Sequence, residues 1–205
     1  MPVLGITGGI ATGKSTFTRR LLPLLDGTLF DADAAARALL SDNAKVISQV
    51  QETFEEALGS APRKEQKIDR ARLREIVFHD PAKRKQLEDI LHPLIRQEWM
   101  AQAELARAGS RWLLVDIPLL YESGLEAEFN AVVVVACRAA TQKARIVLER
   151  GLSEEIAERI IAAQQSLESK IARADHVIWS ESPSARLEEQ AQILATHLRG
   201  RFHET

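Results

Sequence analysis

A glycine-rich run near the beginning of the chain has the residue types and spacing of a phosphate-binding loop. Gly8 to Ser15 reads Gly-Gly-Ile-Ala-Thr-Gly-Lys-Ser, which fits G-x-x-x-x-G-K followed by Ser or Thr, and a helical pattern follows at once. Glycines let successive backbone N–H groups turn toward an anion, and the start of the helix adds its positive end. The sequence therefore predicts a P-loop that binds the phosphates of a nucleotide.

Two side chains of this loop are candidates for chemistry. Lys14 is a flexible cation that can reach the β- and γ-phosphates, and Ser15 offers a hydroxyl oxygen suited to Mg²⁺, which uses few protein ligands. The alternative is a strand-to-helix turn that binds nothing. We expect the nucleotide to bind along the loop at Gly9, Ile10, Ala11, Thr12, Gly13, Lys14, Ser15 and Thr16.

Carboxylates stand at the ends of two later apolar runs. Phe30-Asp31-Ala32-Asp33 closes one run, and Asp116 ends the run at 112–116. Because ligands in open α/β sheets bind beyond the carboxyl ends of the strands, we expect these carboxylates at the same edge as the P-loop. Asp116 is then either a Mg²⁺ ligand or a turn residue, and Asp33 either acts at this edge or merely caps the next helix.

Short apolar runs alternate with longer helical patterns, which is typical of a parallel sheet with helices on both faces. The fold class is therefore α/β, with a parallel sheet and flanking helices. We predict a first helix at 14–25, and strands at residues 3–6, 28–31, 112–116, 131–136 and 176–179.

The region between the second and third predicted strands, residues 42–107, is mostly helical. We expect an exposed loop at 59–64, a helix at 69–78, and a long helix from 81 to about 107 that kinks or breaks near Leu91-His92 because of Pro93. This segment is expected to stand off the sheet as a small helical domain that holds a second substrate.

Basic helical patterns follow the fourth predicted strand. Residues 139–150 carry Lys143, Arg145 and Arg150, and a second helix is predicted at 154–168. Most such cations are solvated surface charges, but in a phosphoryl-transfer enzyme an Arg-rich helical hairpin can close over ATP and neutralise developing charge. A last helix is predicted from Ser182-Pro183 to about residue 198, with a frayed tail.

Composition narrows the possible partners. The 27 Lys and Arg against 29 Asp and Glu give a formal net charge of −2, so no overall positive field draws the chain to nucleic acid or an anionic membrane. A single cysteine, Cys137, rules out an intramolecular disulfide and favours the cytoplasm. The apolar stretches are too short to span a bilayer, and we expect no signal peptide.

Taken together, these landmarks resemble the dephospho-CoA kinase family, whose members phosphorylate the ribose 3′-hydroxyl of dephospho-CoA with ATP. The resemblance covers nearly the whole chain in order. It is carried by Gly5 to Ile10 with Gly13 to Thr16, Phe30 to Asp33 with Ala36-Arg37, Leu73 to Phe78, Leu87-Glu88 with Ile90 to Ile95, Pro118 to Glu122, Arg145, Leu152 to Glu155, Arg159-Ile160 with Gln164, and Ala174 to Ile178.

The resemblance implies a five-stranded core of the nucleoside-monophosphate-kinase type at 1–41 and 110–205, with a lid at about 139–168. The helical insertion at 42–109 would receive the CoA precursor. Asp33 looks like the base that accepts the hydroxyl proton, and Arg145 looks like the lid arginine that faces the phosphates. ATP and Mg²⁺ are the implied cofactors, with Ser15 and Asp116 as metal ligands, and the oligomeric state stays open.

The chain departs from the family pattern at three places. Ala11-Thr12 stands where such enzymes often have Gly-Ser, which is harmless if residue 11 avoids positive φ. Glu149-Arg150 replaces an Arg-Asp pair before the lid turn. The Asn that usually follows the fifth strand is missing, so no adenine contact is assigned there.

Other functions are weighed against this one. A P-loop kinase for another small hydroxyl or nucleotide substrate shares the loop but not the acceptor domain. A GTPase-like switch should carry an N-K-x-D motif, which the sequence lacks. A non-catalytic ATP-binding protein predicts ATP binding without phosphoryl transfer.

Overall fold

A five-stranded sheet lies at the centre of the computed structural model, which describes residues 2–55, 68–181 and 184–203. The strands are β1 (Val3–Gly8), β2 (Gly27–Asp31), β3 (Trp112–Asp116), β4 (Ala131–Ala136) and β5 (His176–Trp179). Their order is β2-β3-β1-β4-β5, and β1 pairs in parallel with both β3 and β4. The α/β fold class and the five predicted strands are confirmed.

Helices fill most of the remaining described chain. They are α1 (Lys14–Leu24), α2 (Ala32–Asp42), α3 (Ala44–Thr53), α4 (Arg70–His79), α5 (Pro81–Ala108), α6 (Ala139–Arg150), α7 (Glu154–Ala162), α8 (Leu167–Arg173) and α9 (Ser184–His203). None of the helices in these described ranges is both long enough and apolar enough to cross a membrane.

The chain divides into two compact units. The first comprises Met1–Phe30 and Gln102–Thr205, and the second comprises Asp31–Ala101. Since β2 ends at Asp31, the boundary falls at the carboxyl end of that strand. The sheet and the P-loop thus belong to the first unit, and α2, α3 and α4 belong to the second.

The core of the first unit explains why its strands read as unbroken apolar runs. Every residue of β1, β3 and β4 is buried, as expected for central parallel strands covered on both faces. One face packs against α1 and α9, with Phe17 and Leu21 of α1 and Leu198 of α9 fully buried. These helices therefore fix where the end of β1 meets the start of α1.

In the second unit, side-chain caps and buried apolar positions define the helices. Asn43 caps α3 and Asp69 caps α4, each through hydrogen bonds from backbone N–H groups of the first turn. The sequence predicted either a kink or a break near Leu91-His92, and because α5 continues through Pro93, the break is wrong. Leu91 and Ile95 on either side of this proline are both buried, and their packing offsets the hydrogen bond that proline removes.

Other boundaries also differ from the prediction. The helix predicted at 154–168 is two helices, because α7 ends at Ala162 and Ser166 then caps α8. The tail is helical to His203 rather than frayed from residue 200, since Phe202 packs edge-on against Trp112 at 5.7 Å between ring centroids. The predicted loop at 59–64 and the cap at Ser182-Pro183 lie outside the described residues.

Two histidines meet where β5 packs against α9. The rings of His176 and His197 lie 5.2 Å apart between centroids, at an interplanar angle of 73°. Burial lowers the pKa of His176, and the charges of His197 and Arg201 lower it further, while Asp175 opposes them. The folded protein therefore favours neutral His176.

This lowered pKa predicts that stability falls as the pH falls through the histidine range. Below the ordinary pKa of 6.5 the unfolded chain takes up a proton that the folded protein resists, so the free energy of unfolding decreases. We expect His176→Gln to flatten this decrease between about pH 7.5 and about pH 5.5, as measured by urea denaturation. The carboxyl groups with lowered pKa, Glu154 and Glu181, titrate below this window. An identical pH slope in wild type and variant would contradict the assignment.

Candidate active site

The P-loop connects β1 to α1, and two glycines give it its path. Gly8 has a φ of 155°, and a Cβ there would lie 2.3 Å from the carbonyl oxygen of Val135 in β4. Gly13 caps α1 in the left-handed region at a φ of 86°. Helix α1 begins at Lys14, so the N–H groups of its first turn, which a helix leaves without intrahelical acceptors, lie next to the loop. The loop therefore has the backbone required to bind an anion.

Side chains engage each carbonyl oxygen of the loop from Gly9 to Thr12. The Thr12 hydroxyl donates to the Gly9 carbonyl at 2.9 Å, and the Ser180 hydroxyl donates to the Thr12 carbonyl. Gln142 Nε2 donates to the Ile10 carbonyl at 2.7 Å. Arg145 Nη1 donates to the Ala11 carbonyl at 3.2 Å. With these oxygens held by the protein, an anion in the loop meets N–H dipoles rather than competing carbonyls.

Lys14 and Asp116 form an ion pair at the carboxyl ends of β1 and β3. Lys14 Nζ lies 2.6 Å from Asp116 Oδ1, and the two side chains are only 14% and 10% exposed. The parallel register places Ile6 beside Asp116, which brings the strand end to the P-loop. The structure thus unites two predicted site residues, Lys14 and Asp116, while Ser15 is exposed in the first turn of α1.

A buried lysine supports the segment that follows Asp116. Lys170 of α8 is completely buried, and its Nζ lies 2.9 Å from Glu122 Oε1 and 3.2 Å from the Pro118 carbonyl. The Thr7 hydroxyl donates to the same carbonyl at 3.2 Å. Lys170 and Thr7 therefore hold the segment from Pro118 to Glu122, which follows the strand end that carries Asp116.

Arg145 of α6 contacts the P-loop backbone. Besides the Ala11 carbonyl, its guanidinium donates to the Ser180 hydroxyl at 3.1 Å and to the Ser180 carbonyl at 2.6 Å. Neutral acceptors satisfy these donors without cancelling the charge, so a cation stays beside the loop. Ser180 takes part in this contact close to where the family's usual Asn is missing.

The other lysine of α6 has a structural partner. Lys143 Nζ lies 2.6 Å from Glu154 and 2.8 Å from Glu158, which joins α6 to α7. These carboxylates raise the pKa of Lys143, and the pKa of Glu154 is lowered in return. Glu154 is exposed and Lys143 is partly exposed, so solvent screens the pair and it adds little stability. Lys143 is thus occupied within the helical hairpin.

The helix-capping role near the end of β2 belongs to Asp31. Asp31 Oδ1 accepts a hydrogen bond from Ala34 N at 2.8 Å and forms the N-cap of α2. Asp33 lies in the first turn of this helix with an exposed side chain. Capping therefore does not account for Asp33, which belongs to the second unit.

Several residues that hold the P-loop were not identified as site residues from the sequence. Gln142 and Ser180 had no assigned role. Gln164, whose Oε1 accepts from the Ile10 N–H at 2.9 Å, was noted only within the family resemblance. One signal was available, because Gln142 and Arg145 stand three positions apart and share a helix face. The contact from Ser180 joins segments distant in sequence, and no local pattern indicates it.

These observations define the class of protein. A P-loop between the central strand and its following helix, with a strand-end aspartate beside the loop lysine, is the arrangement of a P-loop kinase. A sequence profile of dephospho-CoA kinase matches residues 2–185, and the chain belongs to the dephospho-CoA kinase family. Membership in this family of phosphotransferases makes ATP a substrate.

Individual relatives agree with this assignment along the whole chain. The dephospho-CoA kinase of Anaeromyxobacter dehalogenans is 40% identical over 201 residues, which cover 98% of this chain and 93% of the relative. The structure of dephospho-CoA kinase from Campylobacter jejuni is 29% identical, with a TM-score of 0.71 and 98% of both chains covered. A crystal structure from Thermus thermophilus is 31% identical with a TM-score of 0.79, covering 96% of this chain and 97% of its own.

The backbone conformation of Ala11, which stands where the family often has glycine, leads to a prediction about stability. Ala11 has a φ of 57°, so the condition under which alanine would be harmless is not met. Left-handed backbone costs a residue with a Cβ about 1–2 kcal/mol, while glycine adds about 0.4–1 kcal/mol of unfolded-chain entropy. We expect Ala11→Gly to leave the free energy of unfolding unchanged or raise it by up to about 1 kcal/mol, as measured by urea denaturation.

The matched control is Ala38→Gly, an exposed position inside α2, which should destabilise the protein by about 1 kcal/mol. Equal destabilisation by both substitutions would contradict strain at Ala11.

Proposed function

We propose that this chain transfers the γ-phosphoryl group of ATP to the ribose 3′-hydroxyl of dephospho-CoA, giving CoA and ADP. This is the reaction of the dephospho-CoA kinase family and the last step of coenzyme A biosynthesis. The observation that carries the proposal is the P-loop with its carbonyls held by side chains and its lysine beside Asp116, in a chain that the family matches over residues 2–185.

We assign phosphate binding to the P-loop and to Lys14. The backbone from Gly9 to Thr16 would surround the β- and γ-phosphates, with the first turn of α1 directed at them. Lys14 would exchange Asp116 for phosphate oxygens and neutralise charge that grows during transfer. Arg145 would add a second positive charge while holding Ala11 in place.

Ser15 and Asp116 fit a Mg²⁺ ion in their donor chemistry. Mg²⁺ prefers oxygen ligands and is bound through one or two protein groups together with water and substrate phosphates. In the part of the chain that the structure describes, no group of three or more His, Cys, Asp or Glu residues could hold a metal ion, so Mg²⁺ here would depend on the phosphates for further ligands. When bound, the ion supplies charge neutralisation at the β- and γ-phosphate oxygens.

Asp33 is our candidate for the general base. Its carboxylate would accept the 3′-hydroxyl proton as the new O–P bond forms and the bond to ADP breaks. Two observations support this role, since Asp31 already caps α2 and the Asp33 side chain is exposed.

The second unit is our candidate for acceptor binding, and helices α6 and α7 are our candidate for a lid. The second unit is helical and begins with the helix that carries Asp33, and the two lid helices are joined through Lys143. We further propose a cytoplasmic location without a nucleic-acid partner. The buried free thiol of Cys137 and the net charge of −2 support this setting.

The function predicts a single preferred acceptor. Purified protein with ATP and Mg²⁺ should release ADP rapidly with dephospho-CoA, and only slowly with adenosine, AMP, gluconate or shikimate. Mass spectrometry should show a product heavier by one phosphate. Preferred turnover of another acceptor would overturn the substrate assignment, and ATP binding without transfer to any acceptor would overturn the kinase assignment.

Adjacent aspartates provide a matched test of the base. Asp33→Asn should lower kcat by about 10²- to 10⁴-fold, because the amide does not accept the proton. Asp31→Asn should stay close to wild type, because asparagine caps helices as well as aspartate. Both variants should unfold at the wild-type temperature in circular dichroism. Near-wild-type kcat in folded Asp33→Asn would show that Asp33 is not the base.

Charge neutralisation should matter at least as much as proton transfer. We expect Lys14→Ala and Arg145→Ala to lose as much kcat as Asp33→Asn or more, since a positive charge on the transferring group is worth about 10³- to 10⁵-fold. Steady-state kinetics with saturating ATP separates this loss from weaker binding. A smaller loss in both cationic variants than in Asp33→Asn would contradict the ranking.

A further inference from the structure

Both backbone groups of Ile10 are hydrogen-bonded to glutamine side chains from outside the P-loop. The Ile10 N–H donates to Gln164 Oε1 at 2.9 Å, and the Ile10 carbonyl accepts from Gln142 Nε2 at 2.7 Å. A peptide N–H only donates and a carbonyl only accepts, so the polarity of each amide contact is fixed. The N–H and the carbonyl of Ile10 are therefore both held by side chains from outside the P-loop.

One glutamine lies in the first of the two helices proposed as the lid, and the other lies just after the second. Gln142 lies in the first turns of α6 and is only 4% exposed, and Gln164 follows the end of α7 by two residues. Lys143 joins the same two helices through Glu154 and Glu158. A displacement of either helix would therefore act on the backbone of Ile10.

Gln142 lies so close to the neighbouring glycine that its amide would have to shift if that glycine carried a side chain. A Cβ on Gly9 would lie 2.5 Å from Gln142 Nε2. The Gly9 carbonyl is in turn held by the Thr12 hydroxyl at 2.9 Å. The first half of the P-loop is thus packed directly against α6, and its shape depends on where Gln142 lies.

We infer that Gln142 and Gln164 are positioning residues for ATP, which hold Ile10 so that the P-loop keeps its phosphate-binding shape and follows the lid helices. The inference rests on the nucleotide-binding role proposed for the P-loop. Neither glutamine needs to touch the nucleotide. Each fixes one side of a peptide segment whose neighbours, Gly9 and Ala11, begin the phosphate-binding backbone. Loss of either contact lets the loop relax and weakens ATP binding.

The test compares Gln142→Met and Gln164→Met with Gln165→Met. Methionine keeps the length of the side chain but removes the amide, and Gln165 is a neighbour whose side chain accepts from Arg173 instead of the P-loop. Loss of one hydrogen bond of typical strength corresponds to roughly a tenfold change in an equilibrium constant. We expect the Kd for ATP with Mg²⁺ to rise by about tenfold in the first two variants and to stay within about twofold in the control.

Glutamate substitutions test the polarity of the two contacts. Gln164→Glu keeps an acceptor for the Ile10 N–H, whereas Gln142→Glu puts an acceptor against the Ile10 carbonyl. Because both carboxylates would lie beside the same residue, their charges repel ATP to a similar extent. We therefore expect the Kd for ATP to rise more in Gln142→Glu than in Gln164→Glu, with Gln164→Glu at least as stable to heat as Gln164→Met.

Isothermal titration calorimetry without acceptor measures these affinities independently of catalysis. In kinetics, the KM for ATP should rise while the KM for the acceptor stays within about twofold, a split that a general loss of folding does not produce. If Gln142→Met fails to fold, the Gln164 variants and their control decide alone. Affinities for ATP equal to that of Gln165→Met would overturn the inference. Failure of the proposed function would give a different result from failure of this inference. In that case Lys14→Ala would bind ATP as tightly as wild type, or the wild-type protein would phosphorylate no acceptor.

Discussion

A polyphosphate in a P-loop lies within a few ångströms of several peptide dipoles, and their orientation decides whether the loop attracts or repels it. The rest of this structure depends on that constraint. Successive carbonyl oxygens of the loop accept hydrogen bonds from the side chains of Thr12, Gln142, Arg145 and Ser180. Only the first of these lies within the loop, so the other contacts require the fold to be complete. The motif supplies the glycines, and the tertiary structure supplies the orientation.

The parallel sheet is what brings these distant side chains to one edge. Strand β1 lies between β3 and β4, and β5 follows β4, so the chain segments after β1, β3, β4 and β5 all emerge on the same side. Asp116 at the end of β3 pairs with Lys14, and Ser180, which follows β5, donates to the Thr12 carbonyl. The buried Lys170 of α8 donates to the Pro118 carbonyl and so supports the segment that follows β3. The arrangement of these side chains around the P-loop is therefore a property of strand order more than of any single loop.

The sequence was sufficient for the parts of the fold that local patterns specify. All five strands were predicted to within two residues, because short β-branched runs flanked by helical patterns have few alternatives. Local patterns failed where packing decides, since burial carries α5 through Pro93 and Phe202 anchors the end of α9. The sequence did not decide whether Asp31 or Asp33 caps α2, because both stand where the helical pattern begins, and the hydrogen bond from the Ala34 N–H to Asp31 decides it.

Arg145 shows how a candidate site residue can also hold part of the structure in place. The family resemblance implied a lid residue directed at phosphates, and in the structure the guanidinium donates to the Ala11 carbonyl and to the hydroxyl and carbonyl of Ser180. The guanidinium orders the loop through these hydrogen bonds. Because the acceptors are neutral, the positive charge of Arg145 remains beside the loop. A lysine would preserve the charge. Its ammonium lacks the planar guanidinium fork, which donates to the Ala11 carbonyl and to the Ser180 carbonyl at the same time. The requirement for arginine thus follows from positioning, and electrostatics alone would not specify it.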